Sequence, residues 1–536
     1  MQGDRAQRWD LLAQPWDMVV IGGGITGAGI LREATRRGYR TLLLEQRDFA
    51  WGTSSRSGKL VHGGLRYLKQ GQIRVTWHSV RERERLLRDA PGLVIPLGIL
   101  LPVYRGDPVG VTLLRIGLII YDLIAMRRGH RYHARPAFEK LAPHARTEGL
   151  LGGFSYGDAL TDDARLVLRV LREAMRNGAT ALNYARVEEF RRCSRGPVEG
   201  VVVRDVVTGR TAEVRARVVV NAAGIWADEL RCRLGKRPRL RLLRGSHLIF
   251  PASRLPVTRG INVFHPGDGR PLYVLPWEGV TLVGTTDVDH AEDLEAEPCI
   301  SSAEAEYLLT AVRHHFPSLD LSEDDVLATF SGVRPVVGTG EKDPSRESRD
   351  YVVWVEELVT VAGGKLTTFQ VLARDAVRRA QKRLGPGRKG GVTVVQRPVT
   401  VDLAATSDLP EMDHAIWLRL VGRYGPDALA LVRGARPEEL HPVPGTNTLW
   451  AELRWAASSE DVVHLDDLLL RRVRLGIQLP QGGIPLLGRI RPLVQPALGW
   501  DDARWQWEVK RYAELWQSAY SPSPAAGSRR ESWAEK

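Results

Sequence analysis

Asp17-Met18-Val19-Val20-Ile21-Gly22-Gly23-Gly24-Ile25-Thr26-Gly27 decides the fold of this chain of 536 residues. A β-branched apolar run ends in Gly-x-Gly-x-x-Gly at Gly22, Gly24 and Gly27. A helical stretch follows, and a second apolar run, Thr41 to Leu44, closes on Glu45. In a βαβ unit such glycines serve the tight turn, the close approach of backbone to a pyrophosphate and the helix–strand contact. The helix N-terminus offers unpaired N–H groups and a partial positive charge to phosphate. Glu45 stands about 20 residues past the glycines, where a carboxylate accepts a ribose 2′-hydroxyl. Glycine loop, flanking strand and helix, and acid together predict a dinucleotide-binding unit. A glycine-rich turn alone would not.

The neighbouring segments extend this unit. Trp51 to Tyr67 is a polar, glycine-rich loop entering a helix, with hydroxyls, a cation and small residues together. Asp162-Asp163-Ala164-Arg165 opens an amphipathic helix that stops at Asn177-Gly178. Val201 to Val207 and Thr211 to Val220 flank Thr208-Gly209 as a hairpin. The second arm runs into Asn221-Ala222-Ala223-Gly224, a strand breaking at small residues, placed to line the same nucleotide. Residues 242–360 read mostly as strands, Leu272 to Trp277 pairing with Val280 to Gly284 about Glu278-Gly279, as one wall of a pocket. Strands then return at Tyr351 to Val355 and Leu358 to Val361. They end in Ala362-Gly363-Gly364-Lys365, a second glycine-opened helix N-terminus.

The most apolar part of the chain is Leu93 to Leu101 followed by Val111 to Met126. The second piece is too short to span a bilayer and contains Arg115 and Asp122. Those two share one helix face and leave a broad apolar face, with Arg127, Arg128, His130 and Arg131 next. A helix at an anionic membrane boundary and a buried core helix both fit this pattern.

The formal net charge is +13 and the pI about 9.8, compatible with nucleic acid, an anionic membrane or an anionic substrate. No zinc-finger spacing or aromatic RNA-binding signature is present, so nucleic acid is set aside. Three separated cysteines, Cys193, Cys232 and Cys299, form no disulfide framework or metal spacing and fit a reducing, cytosolic side. Each reads as a small buried apolar residue. Met1 to Trp16 lacks the apolar core of a signal peptide. Gly385 to Gly391 is a linker, residues 392–520 form a helical region, and 521–536 read as a disordered tail.

Taken in order, the glycine loop with Glu45, SSRSGKLVHGGLRYL (54–68), VVNAAGIWAD (219–228), RGSHLIFP (244–251), GTTD (284–287), SGVRP (331–335), SRDY (348–351) and AGGKLTTF (362–369) closely resemble the FAD-dependent glycerol-3-phosphate dehydrogenases. The resemblance covers about residues 15–385, and more loosely the C-terminal region. It implies an α/β fold: a doubly wound, Rossmann-like FAD-binding domain, a mostly antiparallel β substrate domain and a C-terminal all-helical cap. The expected division is 15–90, 151–241 and 351–385 for FAD, 91–150 for membrane contact, 242–350 for substrate and 392–520 for the cap. Gly58 is a departure, standing where the family commonly has Ser.

The resemblance further implies oxidation of sn-glycerol 3-phosphate to dihydroxyacetone phosphate. Electrons would pass to membrane quinone from a peripheral position on the cytoplasmic side of the membrane; a homodimer is left open. Arg66, Tyr67 and Arg349 would hold the phosphate, a role suited to arginine. Arg334 and Lys365 would orient the C2 hydroxyl, and His247 is the candidate base, with His62 second. The FAD would be lined by Gly22, Gly24, Ile25, Thr26, Gly27, Glu45, Gln46, Thr53, Ser54, Ser55, Ser57, Lys59, Leu60, His62, Gly63, Gly224, Gly364, Leu366 and Thr367. No metal is expected. From residue types alone, an oxygen-using oxidase, a flavin oxidoreductase acting on a carboxylate, and a non-catalytic flavin sensor stay open.

Overall fold

The computed structural model describes residues 5–64, 73–107, 110–125, 129–192, 196–338, 340, 347, 350–385, 387 and 412–522. Two sheets organise them. In the first, Val359–Gly363, Thr211–Asn221, Trp16–Ile21, Thr41–Leu44 and Thr180–Leu182 lie side by side and parallel, with Val19 opposite both Leu42 and Val219. Where they lie together, Met18–Ile21, Leu42–Leu44 and Val218–Val220 are buried on both faces and continuously apolar. Met18, Val20, Leu43, Val218 and Val220 meet the helices Ile25–Arg36, Asp163–Arg176 and Phe369–Leu384. Val19, Ile21, Leu42, Leu44 and Val219 turn the other way, onto a core shared with the antiparallel ribbon Ala185–Arg192 and Val198–Asp205. Asp162 caps the second helix, accepting the Arg165 N–H at 3.2 Å.

The second sheet has nine strands and is antiparallel except for one parallel pair, Gly260–Phe264 with Val94–Tyr104. Leu240–Pro251 lies between Val280–Gly284 and Ala328–Val337, which puts His247 opposite Gly284 on one side and Phe330 on the other.

Segment 91–150 departs from expectation. Its first apolar run is the strand Val94–Tyr104, paired along Leu150–Thr161, so it belongs to the second sheet. A strand buried on both faces has no polar alternation, and in sequence it looks like any other apolar run. Among its described residues the helix Val111–Ala125 keeps a broad exposed apolar face.

The C-terminal residues 412–522 are helical, but they share one core with the second sheet: Trp277, Leu282 and Phe330 cluster with Leu453, Leu469, Tyr512 and Trp516. Ser521, expected in a disordered tail, is buried, and its carbonyl accepts from Thr329 Oγ1 at 3.1 Å; 523–536 lie outside the described residues. The cysteines also differ from expectation. Cys232 is exposed on a short surface helix and Cys299 is half-buried at the edge of a core, while Cys193 lies outside the described residues.

Candidate functional site

A cleft enclosing about 1270 Å³, open solvent at its mouth included, lies along the C-terminal ends of the parallel strands. Gly22, at φ +111°, is where the first strand turns; a Cβ there would lie 2.5 Å from the Ala222 carbonyl oxygen of the neighbouring strand end. Gly27 packs so closely that a Cβ would overlap the Gly22 carbonyl. Both glycines are therefore required by backbone approach. Ser54 Oγ accepts the Ile25 N–H at 3.0 Å where the first helix opens. Glu45 Oε2 accepts the Gly23 N–H at 2.5 Å and Oε1 the Arg47 N–H at 2.9 Å. Burial raises the Glu45 carboxyl above its usual pKa against the pull of those two N–H groups. The lining also includes Ala185, Val187, Trp226, Glu229 and Arg233, and Trp226 Nε1 is buried with no hydrogen-bond partner among the described residues. Glycine cradle, acid at the strand end and an orphaned donor on the wall fit an elongated, polar dinucleotide.

His247 lies in the second sheet, 2 % exposed, its ring stacked on Phe330 at 4.5 Å. Neither Nδ1 nor Nε2 has a hydrogen-bond partner among the described residues. A Cβ at Gly58 would lie 3.4 Å from Nε2 and would meet nothing else within 4 Å. Burial, then Arg334 and Lys59, push the imidazole well below its usual 6.5, so it is neutral near pH 7. Arg334 donates through Nη1 to Asp287 Oδ1 at 3.2 Å and through Nη2 to Thr285 Oγ1 at 3.0 Å. Lys365 lines the cleft just before the turn Leu366–Thr368, with Nζ donating to Ser79 Oγ at 3.3 Å.

The family model for FAD-dependent oxidoreductases matches residues 17–379, and that for the C-terminal domain of alpha-glycerophosphate oxidase matches 371–505. The aerobic glycerol-3-phosphate dehydrogenase of Staphylococcus aureus is 35% identical over 483 residues, 85% of this chain and 86% of that protein. The chain belongs to the FAD-dependent oxidoreductases, in the aerobic glycerol-3-phosphate dehydrogenase family. A solved glycerol-3-phosphate dehydrogenase from Bacillus halodurans, complexed with FAD, superposes with a TM-score of 0.75 at 27% identity, covering 97% of each chain. The L-alpha-glycerophosphate oxidase of Mycoplasma pneumoniae, with FAD bound, shares the fold at a TM-score of 0.54 and 18% identity, over 69% of this chain and 95% of its own.

In this flavoenzyme Gly22, Gly24, Ile25, Thr26, Glu45, Gln46, Thr53, Ser54, Ser57, Gly224, Gly364, Lys365 and Leu366 line the cleft. The other expected FAD residues are not among those lining it. Gly27 serves packing, Thr367 is buried, and Leu60 bridges to Leu160. The Lys59 side chain is fully buried, donating to the Ser55 carbonyl at 2.7 Å and to both Asp163 oxygens at 2.8 and 2.9 Å. An ammonium out of water needs that carboxylate, and burial with the Arg474 charge still pushes its pKa down to about 7. The Ser55 carbonyl is taken up by the same cluster, and the Gly63 N–H by Asp158. His62 is half-buried beside Gly63. Arg66, Tyr67 and Arg349 lie outside the described residues. Trp226 was within reach of the sequence, two positions past Gly224 in the same motif; Arg233 carried no local signal.

Proposed function

We propose that this flavoenzyme oxidises sn-glycerol 3-phosphate to dihydroxyacetone phosphate and delivers the electrons to membrane quinone. The observation that carries the reading is His247, a buried, neutral imidazole beside a guanidinium, with neither nitrogen hydrogen-bonded among the described residues. FAD, when bound in the cleft, supplies the two-electron acceptor. The chain supplies the rest. His247 takes the proton of the C2 hydroxyl at Nε2, the nitrogen facing the side-chain-free Gly58. Arg334, braced by Asp287, and Lys365 hold that hydroxyl and offset the charge that develops on its oxygen.

Quinone as acceptor is supported by the helix Val111–Ala125, which packs inward through Leu118 and Tyr121 and leaves Leu113, Ile116, Ile119, Ile120 and Leu123 exposed. Exposed Arg115 lies on it, exposed Arg105 and Arg131 lie close to it in sequence, and the chain is basic overall. An apolar face with cationic neighbours suits an anionic lipid surface. Among the described residues no helix is long and apolar enough to cross a membrane.

An anaerobic flavin spectrum before and after adding sn-glycerol 3-phosphate tests the substrate. Bleaching of the oxidised bands is expected. A flavin that stays oxidised overturns the assignment and points to a carboxylate substrate. Turnover with a soluble quinone exceeding that with oxygen is expected next; fast oxygen-driven turnover with peroxide release would make the enzyme an oxidase.

A further inference from the structure

Three residues outside the proposed chemistry form a buried polar cluster behind the loop Val61–Gly64. Tyr121, on the helix Val111–Ala125, turns its phenol inward and is 2 % exposed. Arg83, on the helix Ile73–Asp89, donates through Nη1 to the Tyr121 hydroxyl at 2.7 Å, to the Gly157 carbonyl at 2.9 Å and to Asp158 Oδ1 at 3.0 Å. Asp158 Oδ1 in turn accepts the Gly63 N–H at 2.9 Å. The fit is close: a Cβ at Gly63 would overlap the Tyr121 hydroxyl and lie 2.8 Å from Val80 Cγ2. One turn before Arg83, Ser79 Oγ accepts from Lys365 Nζ. A single helix thus touches both the Lys365 side chain on the cleft wall and, through Asp158, the backbone of the loop that carries His62.

We propose that Tyr121, Arg83 and Asp158 are positioning residues that hold the Val61–Gly64 loop in register with Lys365, the helix Ile73–Asp89 setting the distance between them. The inference rests on Lys365 being a site residue, as argued above. Its physical basis is the rigidity of the parts. A guanidinium is a planar fork whose bonds fix direction as well as distance. Burial raises the Asp158 carboxyl, and the neighbouring Arg83 charge is what favours its ionised form as the acceptor for Gly63. Rates of aligned reactions are sensitive to displacements on the order of 1 Å, which can cost up to about 100-fold. The loop has no room to shift toward the helices and loses its anchor if it shifts away.

The test uses the flavin-loaded enzyme. Tyr121→Phe keeps the ring packing and removes only the hydroxyl; Asp158→Asn keeps the shape and removes the charge. Each is expected to lower kcat for sn-glycerol 3-phosphate about tenfold with KM changed less than threefold. Each is also expected to move the visible flavin bands or weaken FAD retention. A lower melting temperature with kcat, KM and flavin bands all within twofold of the parent would make the cluster structural and overturn the proposal, as would no change in any readout. Lys365→Met separates the underlying assignment. If it costs activity while Tyr121→Phe does not, the assignment stands and the positioning proposal falls. If Lys365→Met turns over like the parent, the assignment itself falls.

Discussion

Arg472 grips Asp48 through two hydrogen bonds of 2.6 and 2.7 Å, joining residues 424 positions apart. Arg471 Nε adds a third, to Oδ2 at 2.5 Å. Both arginines belong to the C-terminal helical region; Asp48 lies three residues past Glu45, on the cofactor side of the fold. Burial alone would raise the Asp48 carboxyl, but Arg472 and Arg471 outweigh it and hold the pKa below the usual 3.8. Similar buried pairs join Arg165 to Glu460 and Arg423 to Asp162. The helical region is thus bound to the FAD domain by ions as well as by a shared core.

Asp48→Ala is therefore expected to cost about 3–5 kcal/mol, because it strands the buried Arg472 guanidinium without its carboxylate, while Arg471 keeps Asp466 and Asp467. FAD retention should fall with it, since the Glu45–Trp51 loop loses its anchor. Equilibrium denaturation and flavin release on dilution measure the two effects. The pH dependence has a definite sign. A carboxyl depressed on folding contributes stability that is complete above about 3.8 and is lost as pH falls through its lower folded value. Acid unfolding of the parent should therefore steepen below pH 3.8, and that component should be missing in Asp48→Ala.

His247 gives a second expectation. Its folded pKa lies well below 6.5, with burial the largest cause and Arg334 and Lys59 adding to it. A neutral base stays competent until pH falls through that depressed value, so kcat/KM should not show a His247 limb between pH 6.5 and 8. Stability follows the same sign: the unfolded chain binds the proton first, so folding is weakened only as pH drops below about 6.5. His247→Asn should lower kcat about 10²–10⁴-fold with FAD still bound. Retention of parental kcat would move the proton to another residue, His62 first.

Arg334 is expected to act through geometry as well as charge. Its two terminal nitrogens reach Asp287 and Thr285 at once, which a lysine cannot reproduce. Arg334→Lys should lower kcat/KM about 10- to 100-fold, the scale of one charge-assisted hydrogen bond. Added guanidinium should recover part of the activity of Arg334→Ala, because the side chain is 27% exposed and its place open to solvent. Failure of both effects would make Arg334 a structural partner of Asp287 and Thr285 with no part in the reaction.

The elements that were legible before the structure are those whose signal is local. The apolar run, glycines and Glu45 of the first unit, the hairpin closing at Gly209 and the Asp162 cap each follow from residues a few positions apart. What was missed is non-local. Lys59 sits in a motif that looks like cofactor contact, and only the fold shows Asp163 on the other side of it. Val94–Tyr104 lacked the alternation that marks a half-exposed strand because from Leu97 onward both of its faces are covered. The pairing of Asp48 with Arg472 has no local periodicity at all. In the same way Arg233 lines the cleft without any signal among its neighbours in the chain.

The helix Val111–Ala125 supplies the last expectation. Leu113 is 61% and Leu123 71% exposed, and Ile116, Ile119 and Ile120 lie between them in sequence. Moving one such side chain fully out of water yields about 1.5–3 kcal/mol, so even partial insertion of five exceeds what a surface salt bridge offers. Inward packing rests on other residues, Leu118 and Tyr121, so the outer face can be changed without touching the core. Ile116→Glu with Leu123→Glu should therefore leave the melting temperature within about 2 °C, as expected for surface substitutions in a chain of this size. Turnover with a water-soluble acceptor should also be unchanged. Co-sedimentation with vesicles containing anionic lipid should fall at least about tenfold, the equivalent of 1.4 kcal/mol, and turnover with a lipid-embedded quinone should fall with it. Vesicle binding that survives both substitutions but disappears in high salt would place the contact on the basic residues alone.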